Sequence, residues 1–448
     1  MLQPGKKDFM LGLTFKRGIH PPDNKKNTKD KMIEYLRSGD ELVFPMIQHI
    51  GAPCNPIVKK GDKVLMGQMI GEATSYVSSP IHSSVSGTVS KIEDRLHPNG
   101  NLVKSVIIEN DHEYTSLEAE LEYKTIVSLT PDEIVERVKN GGVVGLGGAG
   151  FPSHVKLSPT DRQGIDHIIV NGAECEPYLT SDHRIMLEQT DEVLKGLKTI
   201  LRLFPNAKGI VAIENNKPEV IKQMSEAAFN YEDIDVKVLK TKFPQGAEKQ
   251  LIYSVTKREV PSGKLPSEVG CIVHNIDTTV AIYRSVTFNK PLIRRIVTVS
   301  GNNIKTPKNF KVHIGTSYRQ VIEAAGGLIK DEGIVISGGP MMGSTLYDLD
   351  VPIIKTSSSI LALDKSELEV HDERNCIRCN RCIDVCPMGL APCDLDTHMR
   401  KGLHNEFQDN HGLDCMQCGS CSYVCPSKRQ LVQSIATEKK IVVGLKRK

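Results

Sequence analysis

Apolar positions in this chain fall into short blocks whose spacing changes from one region to the next. From about residue 40 to 110, short β segments alternate with Gly and Pro turns, the signature of an all-β unit. From about 125 to 260, apolar runs of strand length alternate with stretches of helical period. Residues 167–170, 209–213 and 236–239 read as strands, and 192–204, 218–229 and 247–255 as helices. Pro218 suits a first helical turn, where its missing N–H costs nothing. This alternation predicts a mainly parallel sheet with crossover helices. From about 291 to 350 the order becomes strand (295–299), strand (310–314), helix (318–325), strand (333–337), a small α+β unit. Residues 1–30, rich in Lys, Asn, Asp and Pro, read as an extended arm, and the polar run 356–359 reads as a linker.

Beyond that linker the chemistry becomes specific. The runs Cys376-Ile-Arg-Cys379-Asn-Arg-Cys382-Ile-Asp-Val-Cys386-Pro387 and Cys415-Met-Gln-Cys418-Gly-Ser-Cys421-Ser-Tyr-Val-Cys425-Pro426 are both C-x2-C-x2-C-x3-C-P. That is the spacing of two-cluster ferredoxins, in which the fourth Cys of each run serves the other cluster. The expected ligand sets are therefore Cys376, Cys379, Cys382 and Cys425 for one [4Fe-4S] cluster, and Cys415, Cys418, Cys421 and Cys386 for the second. Structural zinc uses paired C-x2-C units without the third and fourth Cys at these offsets. Disulfide frameworks belong to short secreted chains.

Composition narrows the class without deciding it. The 448 residues allow several domains, and 39% hydrophobic with 25% charged residues is ordinary for a globular protein. Lys and Arg number 57 against 54 Asp and Glu, a net charge of +3, so no nucleic-acid partner is implied. Eight of the 12 Cys sit in the cluster runs, and thiolates kept for iron imply a reducing compartment. No signal-peptide core is visible and no run reaches the length of a membrane span, so membrane association is expected through partners.

A second informative stretch is Gly141-Gly-Val-Val-Gly-Leu-Gly-Gly-Ala-Gly-Phe-Pro152. Gly145, Gly147 and Gly150 formally satisfy G-x-G-x-x-G, but no ordinary strand precedes them and Pro152 follows at once, so a Rossmann turn is disfavoured. A plain flexible turn is one alternative. So many glycines more readily let the backbone approach a flat ring or a phosphate closely. Further on, the strand 167–170 runs into Asn171-Gly-Ala-Glu-Cys-Glu-Pro-Tyr178. Carboxylates and an amide at the carboxyl end of a parallel strand lie where α/β sheets bind ligands. The plainer alternative is a capping turn before a helix at Asp182.

Together these residues carry a resemblance. Gly145-Leu-Gly-Gly-Ala-Gly-Phe-Pro-Ser-His-Val-Lys156, Asn171 to Pro177 and Gly246-Ala-Glu-Lys249 are similar to the FMN- and NADH-binding flavoprotein subunit of respiratory complex I. Residues 58–92 resemble a lipoyl/biotinyl barrel-sandwich, with Ser75 where a carrier Lys would stand, which implies a structural module. The α+β unit resembles a soluble-ligand-binding β-grasp domain. The order of parts resembles the C subunit of the Rnf electron-transport complex. The implied architecture is multidomain α/β: arm 1–30, barrel-sandwich hybrid 31–120, FMN/NADH-binding α/β domain 121–290, β-grasp 291–355, and a helical two-cluster ferredoxin-like domain 356–448.

Carried over residue by residue, the resemblance implies that Gly147, Gly148 and Gly150 line the flavin and dinucleotide. It implies that Phe151 stacks on the adenine and Lys156 neutralises phosphate. Asn171, Glu174, Gly246, Glu248 and Asn275 would surround FMN, and Glu176 would contact NADH. Leu146, Ser153, His154 and Leu157 depart from the complex I pattern, which leaves the dinucleotide pose less defined than the flavin. The implied role is an NADH-binding, FMN- and iron–sulfur-containing subunit of a membrane-bound, ion-translocating ferredoxin:NAD oxidoreductase. It would sit peripherally on the cytoplasmic face of the bacterial membrane, against the membrane subunits and a ferredoxin-type iron–sulfur subunit. No residue is expected to act as an acid/base catalyst, because flavin itself bridges two- and one-electron chemistry. The alternatives are an electron-wiring adaptor with a vestigial flavin site and a soluble electron-bifurcating subunit. Cys54, Cys175, Cys271 and Cys393 lie outside the cluster runs and read as packing residues. The loop 338–343 reads either as a turn or as an element shaped against the flavin domain. Arg374, Arg378 and Arg381 read as solvated or as steering an acidic redox partner.

Overall fold

A computed structural model describes residues 12–117, 128–367 and 372–446. The expected parallel sheet is present, four-stranded, in the order Ile234–Leu239, Lys208–Glu214, His167–Gly172, Cys271–Asn275. All three pairings are parallel. Its strands read as unbroken apolar runs because both faces are covered. Ile168, Val170, Val211 and Ile213 pack into a core on one side, and Ile169, Ile210 and Ala212 into a core on the other. Helices Thr190–Leu201 and Ile276–Phe288 lie on the first side. The helix before the glycine loop, Pro131–Asn140, starts on a Thr130–Glu133 capping box with Pro131 in its first turn.

The all-β region forms two sheets: Glu41–Pro45, Leu102–Asn110, Gly87–Leu96, Lys63–Val64, and Cys54–Pro56, Met69–Ala73, Ile81–His82. Their inner faces share a core built from Leu42, Phe44, Ile70, Val89 and Ile108. Val144 and Leu146 of the glycine loop enter the same core, so this unit packs directly on that loop.

The β-grasp unit is a mixed six-stranded sheet. Its members include Arg294–Ser300, Lys308–His313 and Gly333–Ser337 with helix Tyr318–Ala324. The run read as a linker, 356–359, instead leads into a fully buried strand, Ser359–Asp364, paired to both Arg294–Ser300 and Gly333–Ser337. Ser357 is buried because its hydroxyl is bonded, to Tyr318 Oη at 2.9 Å and to the Ile354 N–H at 3.1 Å.

The described part of the N-terminal arm is packed: Leu13 bridges to Leu239 at the sheet edge and Ile19 bridges to Phe243, and the arm closes in a turn at residues 26–30. Beyond it Ile33–Tyr35, expected to open the barrel-sandwich unit, instead adds a parallel edge strand to the β-grasp sheet. The cluster region is helical: Arg381–Val385, Pro392–Arg400, His404–Asp409, Ser420–Tyr423 and Leu431–Leu445.

Candidate functional site

The four-stranded sheet changes direction once. After His167–Gly172 the chain adds strands on one side, then crosses to lay Cys271–Asn275 on the other. In open α/β sheets such a switch point opens a crevice at the carboxyl ends of the strands, where ligands bind. Asn171 and Asn275 are register partners at that point. Asn171 Nδ2 donates to Gly246 O at 2.8 Å. Asn275 caps helix Ile276–Phe288, its Oδ1 accepting from the Asp277 and Thr278 N–H groups, and its Nδ2 donates to Asp182 Oδ2 at 2.6 Å.

The glycine loop closes over the same place. Its neck is pinned by Gly145 N to Phe151 O at 2.9 Å and by a Val144–Pro152 bridge. Leu146 anchors the tip: its N–H donates to Thr278 Oγ1 at 2.9 Å and its carbonyl accepts from Arg295 Nη2 at 3.0 Å. Gly147, Gly148 and Ala149 are left exposed. A Cβ on Gly147 would stand 2.9 Å from the Asn275 side chain, whereas one on Gly148 would meet nothing within 4 Å. Gly150 has φ +76° and packs against His49 and Thr356. Phe151 is half-buried just beyond the neck. Lys156 and Glu248 meet as an ion pair at 2.7 Å, and Lys156 also donates to Val273 O at 3.0 Å.

The acidic turn completes the enclosure. Glu174 Oε1 accepts from the Asp182 N–H at 2.7 Å. Burial, reinforced by the carboxylates of Glu174 and Asp277, holds the Asp182 carboxyl well above the usual range, with Asn275 and Arg295 opposing. Glu174 Oε2 and Glu176 Oε1 are buried and have no hydrogen-bond partner. Buried carboxylate oxygens without a hydrogen bond fit a ligand that brings N–H and O–H groups, such as the edge and ribityl chain of a flavin. Glu176 lies at the border of the α/β domain with the β-grasp unit. Its Oε2 accepts from the Met341 N–H at 3.1 Å, so this carboxylate faces the β-grasp loop 338–343, and burial pushes its pKa up to about 7. That loop is therefore shaped against the flavin-like domain. Asp182, Thr278 and Arg295 do not stand out as site residues in the sequence; only the capping pattern at Asn275 hints at them.

The cluster runs form two cavities. Cys376, Cys379, Cys382 and Cys425 line one, and Cys386, Cys415, Cys418 and Cys421 line the other. The fourth Cys of each run thus reaches the opposite group. Both loops use left-handed backbone at matching positions, Arg378 and Asn380 in the first, Gln417 and Gly419 in the second. These bends turn the thiols inward, and the Arg378 and Gln417 N–H groups donate to Cys376 and Cys415 Sγ at 3.4 Å. Among the described residues, no three Cys, His, Asp or Glu converge on a single metal ion. Thiols spaced around a cavity suit a cube of iron and sulfide and do not suit mononuclear zinc. Burial raises the thiol pKa of Cys382, Cys386, Cys415 and Cys421, so cluster assembly must expel protons. Cys393, read as a packing residue, lines the first cavity as a fifth thiol.

The two cavities differ in surroundings. Cys418 and Phe243 belong to one small apolar cluster, against which Cys175, Met341 and Met416 pack, so the second group lies near the acidic turn of the α/β domain. Gln250 Nε2 reaches Pro387 O at 3.1 Å, a second tie between the same two regions. Cys376 and Cys379 are exposed, and Arg378, Arg381 and Arg429 line their cavity.

Comparison with known proteins agrees with this layout. Family models match as the Nuo51 FMN-binding domain at residues 138–284, the RnfC barrel sandwich hybrid domain at 13–113, the SLBB domain at 296–345 and the 4Fe-4S dicluster domain at 368–426. The C subunit of the Na(+)-translocating ferredoxin:NAD(+) oxidoreductase complex of Acetobacterium woodii is 43% identical over 97% of this chain and 98% of its own length. The C subunit of the proton-translocating complex of Clostridium ljungdahlii is 44% identical over 94% of this chain and 92% of its own. The C subunit of the ion-translocating oxidoreductase complex of Haemophilus influenzae is 37% identical over 97% of this chain and 67% of its own. An FMN-binding core, a dicluster module and near full-length identity to these relatives place the chain in the RnfC family, the C subunits of the Rnf ion-translocating oxidoreductase complex.

Proposed function

We propose that this chain is the NADH-oxidising or NAD-reducing station of an ion-translocating ferredoxin:NAD oxidoreductase. The observation that carries the proposal is the series of sites: the switch point at Asn171 and Asn275, then the Cys418 group, which shares a small apolar cluster with Cys175 of the acidic turn, then the exposed Cys376 group. When bound, FMN supplies hydride exchange with a nicotinamide on one side and single-electron exchange with iron–sulfur clusters on the other.

The residues supply position and charge. Gly147 and Gly148 offer open backbone to the ring. Asn171, Gly246 and Asn275 form the floor, and Gly150 shapes the loop neck beside Phe151, which is placed to stack on an adenine. Lys156, paired with Glu248, is placed to exchange that partner for phosphate. Glu174 presents a buried carboxylate oxygen that has no hydrogen bond. Glu176 stands at the border with the β-grasp loop, where a nicotinamide dinucleotide would pass. Cys376, Cys379, Cys382 and Cys425 hold one [4Fe-4S] cluster, and Cys386, Cys415, Cys418 and Cys421 the other. Arg378 and Arg381 beside the exposed group suit an acidic, ferredoxin-type iron–sulfur partner. Among the described residues no helix is long and apolar enough to cross a membrane. In this reading the chain sits on the cytoplasmic face, held by the membrane subunits. Anaerobic purification followed by flavin identification and iron analysis tests this reading. FMN with about eight Fe per chain is expected; iron-replete protein that never takes up FMN, even beside its partner subunits, would leave an electron-wiring adaptor.

A further inference from the structure

The N-terminal arm places one charged group beneath the acidic turn. Lys25 is only 4% exposed. Its Nζ donates to Glu174 O at 2.9 Å, to Glu176 O at 3.0 Å and to Leu179 O. An ammonium has three N–H bonds, and all three go to carbonyls of this one turn. A neutral amine has only two, so three carbonyl acceptors favour the charged form; burial works against it and pushes the Lys25 ammonium below its usual range, with the Glu174 carboxylate opposing that shift. Glu174 Oε2 lies 3.7 Å away, an ion pair without a hydrogen bond, because no donor remains. A second buried ammonium, Lys217, donates to Ala173 O at 2.6 Å and pairs with Glu214 at 3.7 Å.

The turn needs this support. Glu174 has φ 49° and Tyr178 has φ 69°, left-handed conformations that side-chain-bearing residues hold only when their surroundings impose them. The arm imposes them through Lys25, and through the Tyr178 N–H, which donates to Asp23 O at 2.8 Å. The same arm is tied to the cluster region, where the Gly18 N–H donates to Val385 O at 3.0 Å.

We propose that Lys25 is a positioning residue for the flavin: it locks the Glu174–Leu179 backbone into its ligand-ready shape and sets a fixed positive charge beside Glu174. This rests on the FMN reading above. A cation close to a flavin stabilises the reduced, anionic form, so its removal lowers the flavin midpoint potential.

The test uses the full chain with its clusters loaded and its flavin removed, then titrated with FMN and followed by fluorescence quenching. Lys25→Met keeps the stem and removes the ammonium. Expected are binding weakened about tenfold or more, from the lost charge-assisted bonds, and a flavin midpoint potential shifted negative, with iron content and cluster EPR signals retained. Thr28→Val is the control: it removes the hydroxyl that accepts from Thr180 Oγ1 at 2.8 Å, just past the acidic turn, and leaves the Lys25 ammonium and its three carbonyl acceptors in place. It should leave both readouts unchanged, whereas a merely structural arm would respond alike to both substitutions. If Lys25→Met fails to retain iron, Lys25→Arg decides, since it keeps the charge but not three convergent donors. Weakened FMN binding with a near-normal potential supports the proposal, and wild-type affinity overturns it. FMN taken up equally by wild type and Lys25→Met, at equal potential, overturns the proposal alone. Wild-type protein that binds no FMN overturns both it and the flavin reading.

Discussion

Asn171 and Asn275 face each other across two parallel strands, at the point where the sheet reverses its strand order. Neither amide is idle: one holds the Gly246 carbonyl, the other caps a helix and satisfies the buried Asp182. The crevice floor is thus built from groups that also stabilise the fold, which sets the terms on which it can be tested.

Asn275→Ala should cost stability as well as ligand. Loss of the helix cap costs about 1 kcal/mol, and a buried Asp182 without its donor adds about 1–3 kcal/mol. Urea unfolding of the flavin-free protein should show a lowered midpoint, and an unchanged midpoint would mean that Asn275 does not hold Asp182.

Gly148 offers the cleaner separation. A Cβ there meets no atom within 4 Å, so Gly148→Val should leave flavin-free stability within about 0.5 kcal/mol of wild type. Its side chain would fill the space a ring must enter, and FMN retention should be abolished. Equal FMN retention by the variant would place the flavin elsewhere.

The crossed cysteine groups make a spectroscopic prediction. Cys386→Ala removes a wall of the cavity formed with Cys415, Cys418 and Cys421. EPR should lose the signal of that cluster while the Cys376 cluster survives. Loss confined to the cluster beside Cys386 in sequence would refute the crossing.

Acid should destabilise the chain early. Burial lowers His49, His82, His183, His274 and His313 from 6.5 to about 3. Below pH 6.5 the unfolded chain binds protons that these five folded imidazoles refuse, which outweighs the opposite effect of the raised Glu176, Glu214 and Asp182 carboxyls, so stability falls as pH falls from about 6.5 to 3. Thermal scans should show the unfolding temperature dropping through this range. His274→Gln should flatten part of the slope; a slope confined to below pH 4 would point to carboxylates instead.

Much of this was legible in the chain because local rules and tertiary structure agree. The sheet strands are covered on both faces, so their apolar runs are continuous and visible. The Cys spacing dictates which thiol crosses, and the cavities group the same residues. What was not legible depends on distant partners. Lys25 looks like any solvated lysine in a polar arm until the acidic turn, far along the chain, is folded over it. The 356–359 run resembles a linker because Tyr318, which bonds the Ser357 hydroxyl, comes from another element. Cys393 sits in the spacer between motifs, where no spacing rule applies, yet it reaches the first cavity. The family resemblance implies a dinucleotide contact for Glu176 but carries no sign that the β-grasp loop offers it the Met341 N–H.

The central claim is that one crevice, between the glycine loop and the acidic turn, passes electrons from a nicotinamide to FMN and on to both Cys groups. Anaerobic stopped-flow mixing of FMN- and iron-loaded protein with NADH, read at the flavin and iron–sulfur absorbance bands, tests it most directly. The flavin band should bleach first and cluster reduction should follow, and Gly148→Val should show neither. Cluster reduction by NADH in protein free of flavin, or bound FMN that NADH never bleaches, would contradict the account.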